Sequence, residues 1–581
     1  MLGPRRIIAL ALVIAMALIG GGTALGATAG TAATTTAAIQ TGAAAPVSSA
    51  AHSLPTMSLA QVRQLAGRST AVQGWIHDHP VYRITPQYDP SAHQWTVYYV
   101  SKNRSGVDAT QAEVLIDDRT SEITETRTGP QVAWMMARGY WGAFGRHIND
   151  PWLWTGLCLL FVIPLLDIRK LVSWRTLDLL ALVGFSASLI WFNAGQIYTS
   201  VPLIYPPMIY LGLRMAVIGT GRAQWRRTTA ESPAVAAPRF SGWAPIWVLI
   251  AVLALCVGLR YSLNAFDSNV IDVGYAGVIG AHKIVAGLAP YGHFPSDCGQ
   301  CDTYGPATYL SYVPFEVAAP WTGHWDSLPA AHAAASVFDG ICLIGMLTLG
   351  WRLGGLRLGL ALATGWAAFP FTAYALESNS NDELVAAALI WGLVLFARPI
   401  GRGLMLGLAI MAKFTPAILL LLWWRHPFPK GQRRLDWLWY LTGLVIAVWA
   451  TAWVILLDGF GGLHTFWSRT IAYQINRTSP FSIWGQHPDL RAVQIALIAI
   501  VGIAAVMVAR SPRERDFRTV AALSGALLIG LQLTMTYWFY LYIPWFLPFV
   551  LVATVPDWSA RARSGAPGAE PDEAAALAAD A

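Results

Sequence analysis

The chain has 581 residues, 55% of them hydrophobic and only 12% charged. Repeated apolar runs of about 17–22 residues match the length a helix needs to cross a bilayer, which excludes a soluble globular fold and predicts an all-α polytopic membrane protein. The formal charge of +7 is not a nucleic-acid signal, because the basic residues gather in short segments between apolar runs, as in cytoplasmic loops.

Residues 1–30 hold Arg5-Arg6, an apolar run over 7–19 and then small residues, the pattern of a signal peptide or signal anchor. Either places the segment after it outside the cytoplasm. Residues 31–54 are rich in Ala, Thr and Ser and read as a flexible linker. Residues 55–150 are polar and mixed. QWTVYYV at 94–100, AEVLI at 112–116 and the stretch 121–127 read as strands, with a turn at Asp117-Asp118-Arg119-Thr120. Strand, acidic turn and strand together resemble the PepSY-type ectodomains of bacterial envelope proteins, which implies a small extracytoplasmic α+β domain.

Apolar runs at 152–166, 177–194 and 202–219 form a three-helix membrane segment over 151–240. A second membrane module covers 241–557, with runs at 243–259, 331–350, 358–375, 384–397, 435–457, 492–509, 519–537 and 541–555. The tail 558–581 is rich in Ala, Pro, Glu and Asp and reads as a disordered cytoplasmic tail. The run 403–424 breaks the alternation, because Arg398 and Arg402 precede it and Arg425, Lys430, Arg433 and Arg434 come after it. Two basic flanks belong on one side. A helical hairpin turning at Lys413-Phe414-Thr415-Pro416 satisfies this, and Pro416 disfavours a continuous helix. Broken backbone at membrane depth must face protein or a cavity, so Lys413 should line one.

With that hairpin, the loops left outside after residue 150 carry only Lys283, Arg469, Arg477 and Arg491 as basic residues. The outer face then holds the 266–306 loop, the ESNSNDE segment at 377–383 and the 458–491 loop. The first of these contains Asp267, Asp272, Asp297 and Asp302. Asp272 opens a stretch, 273–288, with apolar residues at helical spacing, expected to lie in the interface as an amphipathic helix carrying His282 and Lys283. Cys298-Gly-Gln-Cys301 cannot complete a zinc site alone; on an oxidising side it is expected to form a disulfide. Cys158, Cys256 and Cys342 lie in apolar runs as packing residues.

An acidic residue early in the first outer loop, a helix ending Gly287-Leu-Ala-Pro290-Tyr291 and a Tyr304-Gly305-Pro306 turn resemble the polyprenyl-phosphate-dependent GT-C glycosyltransferases. More narrowly, with Ser380-Asn381-Asp382, Arg398-Pro399, Lys413-Phe414-Thr415-Pro416 and Ser479-Pro480-Phe481, the chain is similar to the actinobacterial mannosyltransferase-like branch, glycosyltransferase family 87, over about 243–555.

The resemblance implies a plasma-membrane, multi-pass enzyme with its active site on the extracytoplasmic face. The donor would be a polyprenyl-phosphate sugar, mannose in preference to arabinofuranose, and the acceptor a hydroxyl of a glycolipid or polysaccharide. A loop carboxylate would act as general base on that hydroxyl: Asp272 first, Asp267 as the fallback. Cations must meet the departing phosphate, and the candidates are His282, Lys283, Lys413, Arg469 and Arg477. Tyr291, Asp302, Tyr304, Asn381 and Asp382 join them as substrate-binding candidates. Glu377, Asp382 and Glu383 could hold a divalent cation, although the preferred reading makes them solvated turn residues; no metal site is assigned. The competing function is a transporter or flippase of lipid-linked sugars, which would share the topology and Lys413 but should show internal repeats. A sensor is the other alternative, but an anchor does not need more than ten helices.

Overall fold

The computed structural model describes residues 55–558 apart from 79–80, 82, 90–92, 103–107, 129–146, 194–195, 222–237, 296–297, 299–300, 324, 326, 425–434, 477–478 and 511–515. The signal and linker readings, Asp297, Arg477 and nearly all of the 558–581 tail therefore lie outside the described residues.

The N-terminal part is a four-stranded antiparallel meander, β1 (Arg83–Asp89), β2 (Gln94–Lys102), β3 (Asp108–Asp117) and β4 (Ile123–Thr128), in sequence order. Trp95, Val97 and Tyr99 alternate inward on β2 and meet Val62, Ala66 and Val72 from α1 (Leu59–Ala66) and α2 (Thr70–Asp78), the period-two pattern of a half-buried strand. The 94–100, 112–116 and 121–127 expectations fall on β2, β3 and β4; β1 and both helices have no counterpart among them. In the β3–β4 turn the Asp118 carboxylate accepts from Thr56 N at 2.7 Å, Met57 N at 2.9 Å and the Trp95 indole at 2.8 Å. Burial alone would raise its pKa, but these donors outweigh it and hold the group down at about 2.

The rest is helical. In chain order come α3 (Pro151–Leu165), α4 (Trp174–Asn193), α5 (Ile197–Thr220), α6 (Ile246–Asp267), α7 (Asp272–Val285), α8 (Pro306–Ala318), α9 (Pro329–Gly354), α10 (Leu356–Ala367), α11 (Pro370–Glu377) and α12 (Asp382–Val394). Next are α13 (Pro399–Ala412), α14 (Leu420–Trp424), α15 (Asp436–Asp458), α16 (Gly461–Trp467), α17 (Pro488–Arg510), α18 (Phe517–Gln532) and α19 (Tyr540–Thr554).

Among the described residues six of these, α4, α5, α6, α9, α15 and α17, are long and apolar enough to cross a membrane. The α10–α11 pair, bent by 56° ahead of Pro370, would make a seventh. The count falls below the eleven apolar runs outside the hairpin, because several of those runs are short helices packed inside protein. From Ile543 to Thr554 every residue of α19 is buried; a helix apolar all round can be core as readily as a lipid-facing span. The 384–397 run is α12, only 13 residues long and largely buried.

The 403–424 segment folds back on itself. The helix α13 stops at Lys413, which is extended (φ −143°, ψ 132°). A 3-10 turn, Thr415–Leu419, with Pro416 near its start, leads into α14. Arg402 at the start of α13 donates to Phe396 O at 2.7 Å and to Trp424 O, at the end of α14, at 3.4 Å. The two ends of the segment therefore meet. Arg402 itself is buried rather than part of a solvated basic loop.

Candidate active site

The turn between α11 and α12 organises the site. Residues Leu376 to Glu383 are all buried. This overturns the reading of Glu377, Asp382 and Glu383 as solvated turn residues. The reason is tertiary, since a polar turn between two helices can be roofed by a distant segment, and here the start of α7 roofs it. Asn379 takes a left-handed conformation (φ +49°), which asparagine tolerates better than most residues. That geometry turns its side chain into a hub. Its amide donates to Ser268 Oγ and Asn269 O, both at 3.1 Å, and its oxygen accepts from Asn264 at 2.7 Å.

The same turn grips the start of α7. Ile271 N donates to Ser378 O at 3.2 Å, and Asn381 Nδ2 to Val273 O at 3.2 Å. A Cβ on Gly274 would lie 2.2 Å from Asn379 O, so only glycine permits this approach. Asp272, the first residue of α7, is thereby fixed in place. Its Oδ1 accepts from Val273 N at 2.9 Å, and a carboxylate in a first helical turn is favoured by the helix dipole.

Asp272 lines a cavity of about 170 Å³, together with Asp382, Lys413, Tyr304, Tyr542 and Trp545 among others. Lys413 Nζ lies 2.6 Å from Asp382 Oδ1, with the two side chains 9% and 0% exposed. It also sits over the rings of Tyr304, Trp545 and Tyr542, at 5.0, 5.4 and 5.7 Å from their centroids. An ammonium is costly to bury unless paired and cradled in this way. The break in α13 that frees Lys413 is buttressed from the Tyr304-Gly305-Pro306 turn: Gly305 N and Thr308 Oγ1 both donate to Ala412 O, each at 3.0 Å.

The structure brings Asp272, Tyr304, Asp382 and Lys413 to one cavity. Tyr291 and Asn381 stand behind the wall: Tyr291 donates to Tyr304 O at 3.1 Å, and Asn381 holds the α7 backbone as above. Burial, above all, pushes the Tyr291 phenol pKa well above its ordinary value, so it stays a donor. Asp302 is buried and accepts from Arg469 Nε at 2.7 and 2.9 Å and from Gly292 N at 2.7 Å. That pair ties the 266–306 loop to the turn after α16, and neither residue lines the cavity.

His282 pairs with Glu316 at 2.8 Å on α8; it and Lys283 lie away from the cavity. Asp267 accepts from His147 N at 2.7 Å and is likewise outside it. The α7 helix is not an interfacial amphipathic element along its length, since every residue from Val273 to Ala281 is buried. Cys298 and Cys301 are joined in a disulfide. Among the described residues no group of three or more His, Cys, Asp or Glu could hold a metal ion. Glu383 instead lies 3.6 Å from Arg260, which also pairs with Asp339 at 2.9 Å.

The wall that sequence reasoning missed comes from α19 and the connection that leads into it: Tyr537 and Phe539 before the helix, and Tyr542 and Trp545 on it, line the cavity. By apolar runs alone, the stretch TYWFYLYIPWF at 536–546 divides between two spans. Its density of Tyr and Trp is the available signal, since their polar tips need partners or ligands when buried.

No curated protein and no solved structure matches the chain. Residues 303–536 match the family model of glycosyltransferase family 87. The segment that supplies Tyr304, Asp382, Lys413 and Arg469 lies within this match, which is consistent with a GT-C-like membrane glycosyltransferase.

Proposed function

We propose that the chain transfers a sugar, mannose in preference to arabinofuranose, from a polyprenyl-phosphate donor to a hydroxyl of a glycolipid or polysaccharide at the extracytoplasmic face of the plasma membrane. The observation that carries the reading is the shared cavity. A carboxylate not paired with Lys413, Asp272, lines the same pocket as the Lys413–Asp382 pair in a chain whose 303–536 segment matches a glycosyltransferase family. Asp272 removes the proton from the acceptor hydroxyl, a poor nucleophile until then. The oxygen attacks the anomeric carbon, the bond to the lipid phosphate breaks, and the phosphate leaves with the electron pair. Lys413 faces the charge that develops there. The scarcity of Lys and Arg in the segments around the cavity supports an outward orientation.

The test is sugar transfer on membranes supplied with polyprenyl-phosphate mannose or polyprenyl-phosphate arabinofuranose. Asp272→Asn, expressed to the normal level, is expected to lose at least 100-fold in rate with the preferred donor. Wild-type rates in that variant would remove Asp272 from the chemistry, and equal rates in Asp267→Asn and the wild type would remove the fallback.

A further inference from the structure

The arm that begins with α16 carries a polar side chain to the mouth of the cavity. After α16 it makes a π-helical turn, Ser468–Ala472, and then a single α-helical turn, Tyr473–Asn476. Gln474, on that last turn, is exposed and lines the cavity. Its carboxamide makes no hydrogen bond among the described residues. Every other lining side chain is buried or half-buried. Asp382 and Lys413 form the floor, Asp272 is half-buried, and Gln474 stands at the rim.

The arm is anchored just ahead of Gln474. Arg469 bonds to Asp302 at 2.7 and 2.9 Å, and the next residue, Thr303, lines the cavity. The Phe466 ring lies 5.1 Å from that of Tyr291 and 6.2 Å from that of Phe414, another lining residue. The π turn then sets the register. In an α-helix residues five apart point about 140° away from each other, whereas the i→i+5 bonds of a π turn bring them toward one face. Arg469 and Gln474 are five apart, so both the anchor and the carboxamide turn toward the cavity side of the arm. Single π turns recur at functional sites for this reason.

We infer that Gln474 binds the acceptor sugar, its carboxamide donating to one hydroxyl and accepting from a neighbouring one. This rests on the reading that the cavity performs sugar transfer, and it adds a residue that selects the acceptor. A cavity of about 170 Å³ is smaller than the usual ligand pocket of about 300–1,000 Å³, so it encloses the reacting groups and leaves the body of a glycolipid or polysaccharide at the rim. The chemistry of Gln474 excludes the donor's other parts. A neutral amide does not neutralise a phosphate, and a prenyl chain offers it no hydrogen bond. Two donors and an acceptor on one planar group do match adjacent hydroxyls of a sugar.

The experiment is steady-state kinetics of the full chain in detergent, with short-chain prenyl-phosphate mannose or its arabinofuranose counterpart as donor. Octyl α-mannoside and octyl α-arabinofuranoside are the acceptor probes. Each substrate is varied while the other is saturating. Gln474→Leu keeps nearly the same bulk and removes the hydrogen bonds, and Gln474→Ala removes both. Each variant is expected to raise the acceptor KM by about 10-fold, the loss of one or two neutral hydrogen bonds, while the donor KM and kcat stay within about twofold of wild type. A change in folding alone would not split the two KM values in this way. An unchanged acceptor KM in Gln474→Leu, a rise in the donor KM instead, or a fall in kcat with both KM values unchanged would each overturn the inference and leave the transfer reading standing. No transfer by the wild type from either donor to either glycoside would sink the transfer reading, and the inference with it.

Discussion

Gly305 gives the sharpest test of how the cavity is built. It lies between Tyr304, on the cavity wall, and the α8 helix, and its N–H bonds to Ala412 O at 3.0 Å. A Cβ placed on it would stand 2.0 Å from Met411 O and 2.6 Å from Met411 C. Side-chain carbons essentially never approach closer than 3.0 Å, so Gly305→Ala must separate the turn from the end of α13 by about 1 Å. The contacts are backbone on both sides, so no rotamer change relieves them. Overpacking of this kind costs about 1–3 kcal/mol. The displaced parts carry Tyr304 and Lys413, and a 1 Å misplacement of catalytic groups costs on the order of 100-fold in rate. The assay pairs the sugar-transfer rate with the melting temperature of the detergent-purified protein. Gly258→Ala is the control, since a Cβ there meets nothing within 4 Å in the middle of α6, and Ala is the better helix former. If Gly305→Ala kept both the wild-type rate and the wild-type melting temperature, the Tyr304 turn would not position the Lys413 break.

Three further outcomes are expected. Lys413→Met and Asp382→Leu should each destabilise the protein by about 3–5 kcal/mol, since each leaves a buried charge unpaired, while the double variant should lose far less than their sum; additive losses in equilibrium unfolding would refute the pair. In the N-terminal sheet, the Asp118 pKa is lower folded, at about 2, than its ordinary 3.8. Its stabilisation is therefore complete above about pH 4 and lost as pH falls from there toward 2. Limited pepsin digestion between pH 5 and 2 should cut the 83–128 region of the wild type progressively over that window. Asp118→Asn should be cut already at pH 5, and identical digestion of the two proteins would count against it. Asn379→Ala should lower the transfer rate without touching the cavity, because it removes the hub under Asp272; an unchanged rate together with an unchanged melting temperature would show that the start of α7 is held by other contacts.

Signals in the sequence are legible where they act locally. Lys413-Phe414-Thr415-Pro416 marks the break in α13, because proline and a lone lysine in an apolar run both oppose a straight buried helix. The alternation of Trp95, Val97 and Tyr99 marks β2. The hidden features depend on distant partners. The burial of Glu377, Asp382 and Glu383 comes from α7 lying over them, and nothing within 377–383 announces a roof that comes from more than a hundred residues earlier. Arg402 reads as a loop cation by composition, yet it is buried against carbonyls 6 and 22 residues away. Tyr542 and Trp545 belong to a helix so uniformly apolar that it resembles a span. Their role is visible only once α12 and α13 bring Asp382 and Lys413 alongside them.

The doubling-back of the Pro399–Trp424 segment bears on how the chain is put into a bilayer during synthesis. A segment whose ends meet at Arg402 and Trp424 adds no crossing, so the residues before 399 and after 424 stay in one compartment. The polar turn at Lys413 never has to be carried through to the far side. It enters with its two short helices and finds its counter-charge, Asp382, on α12, which has already been made. The order of synthesis thus supplies the partner before the lysine that needs it, and reporter tags placed in the 425–434 stretch and just ahead of α13 should be accessible from the same side.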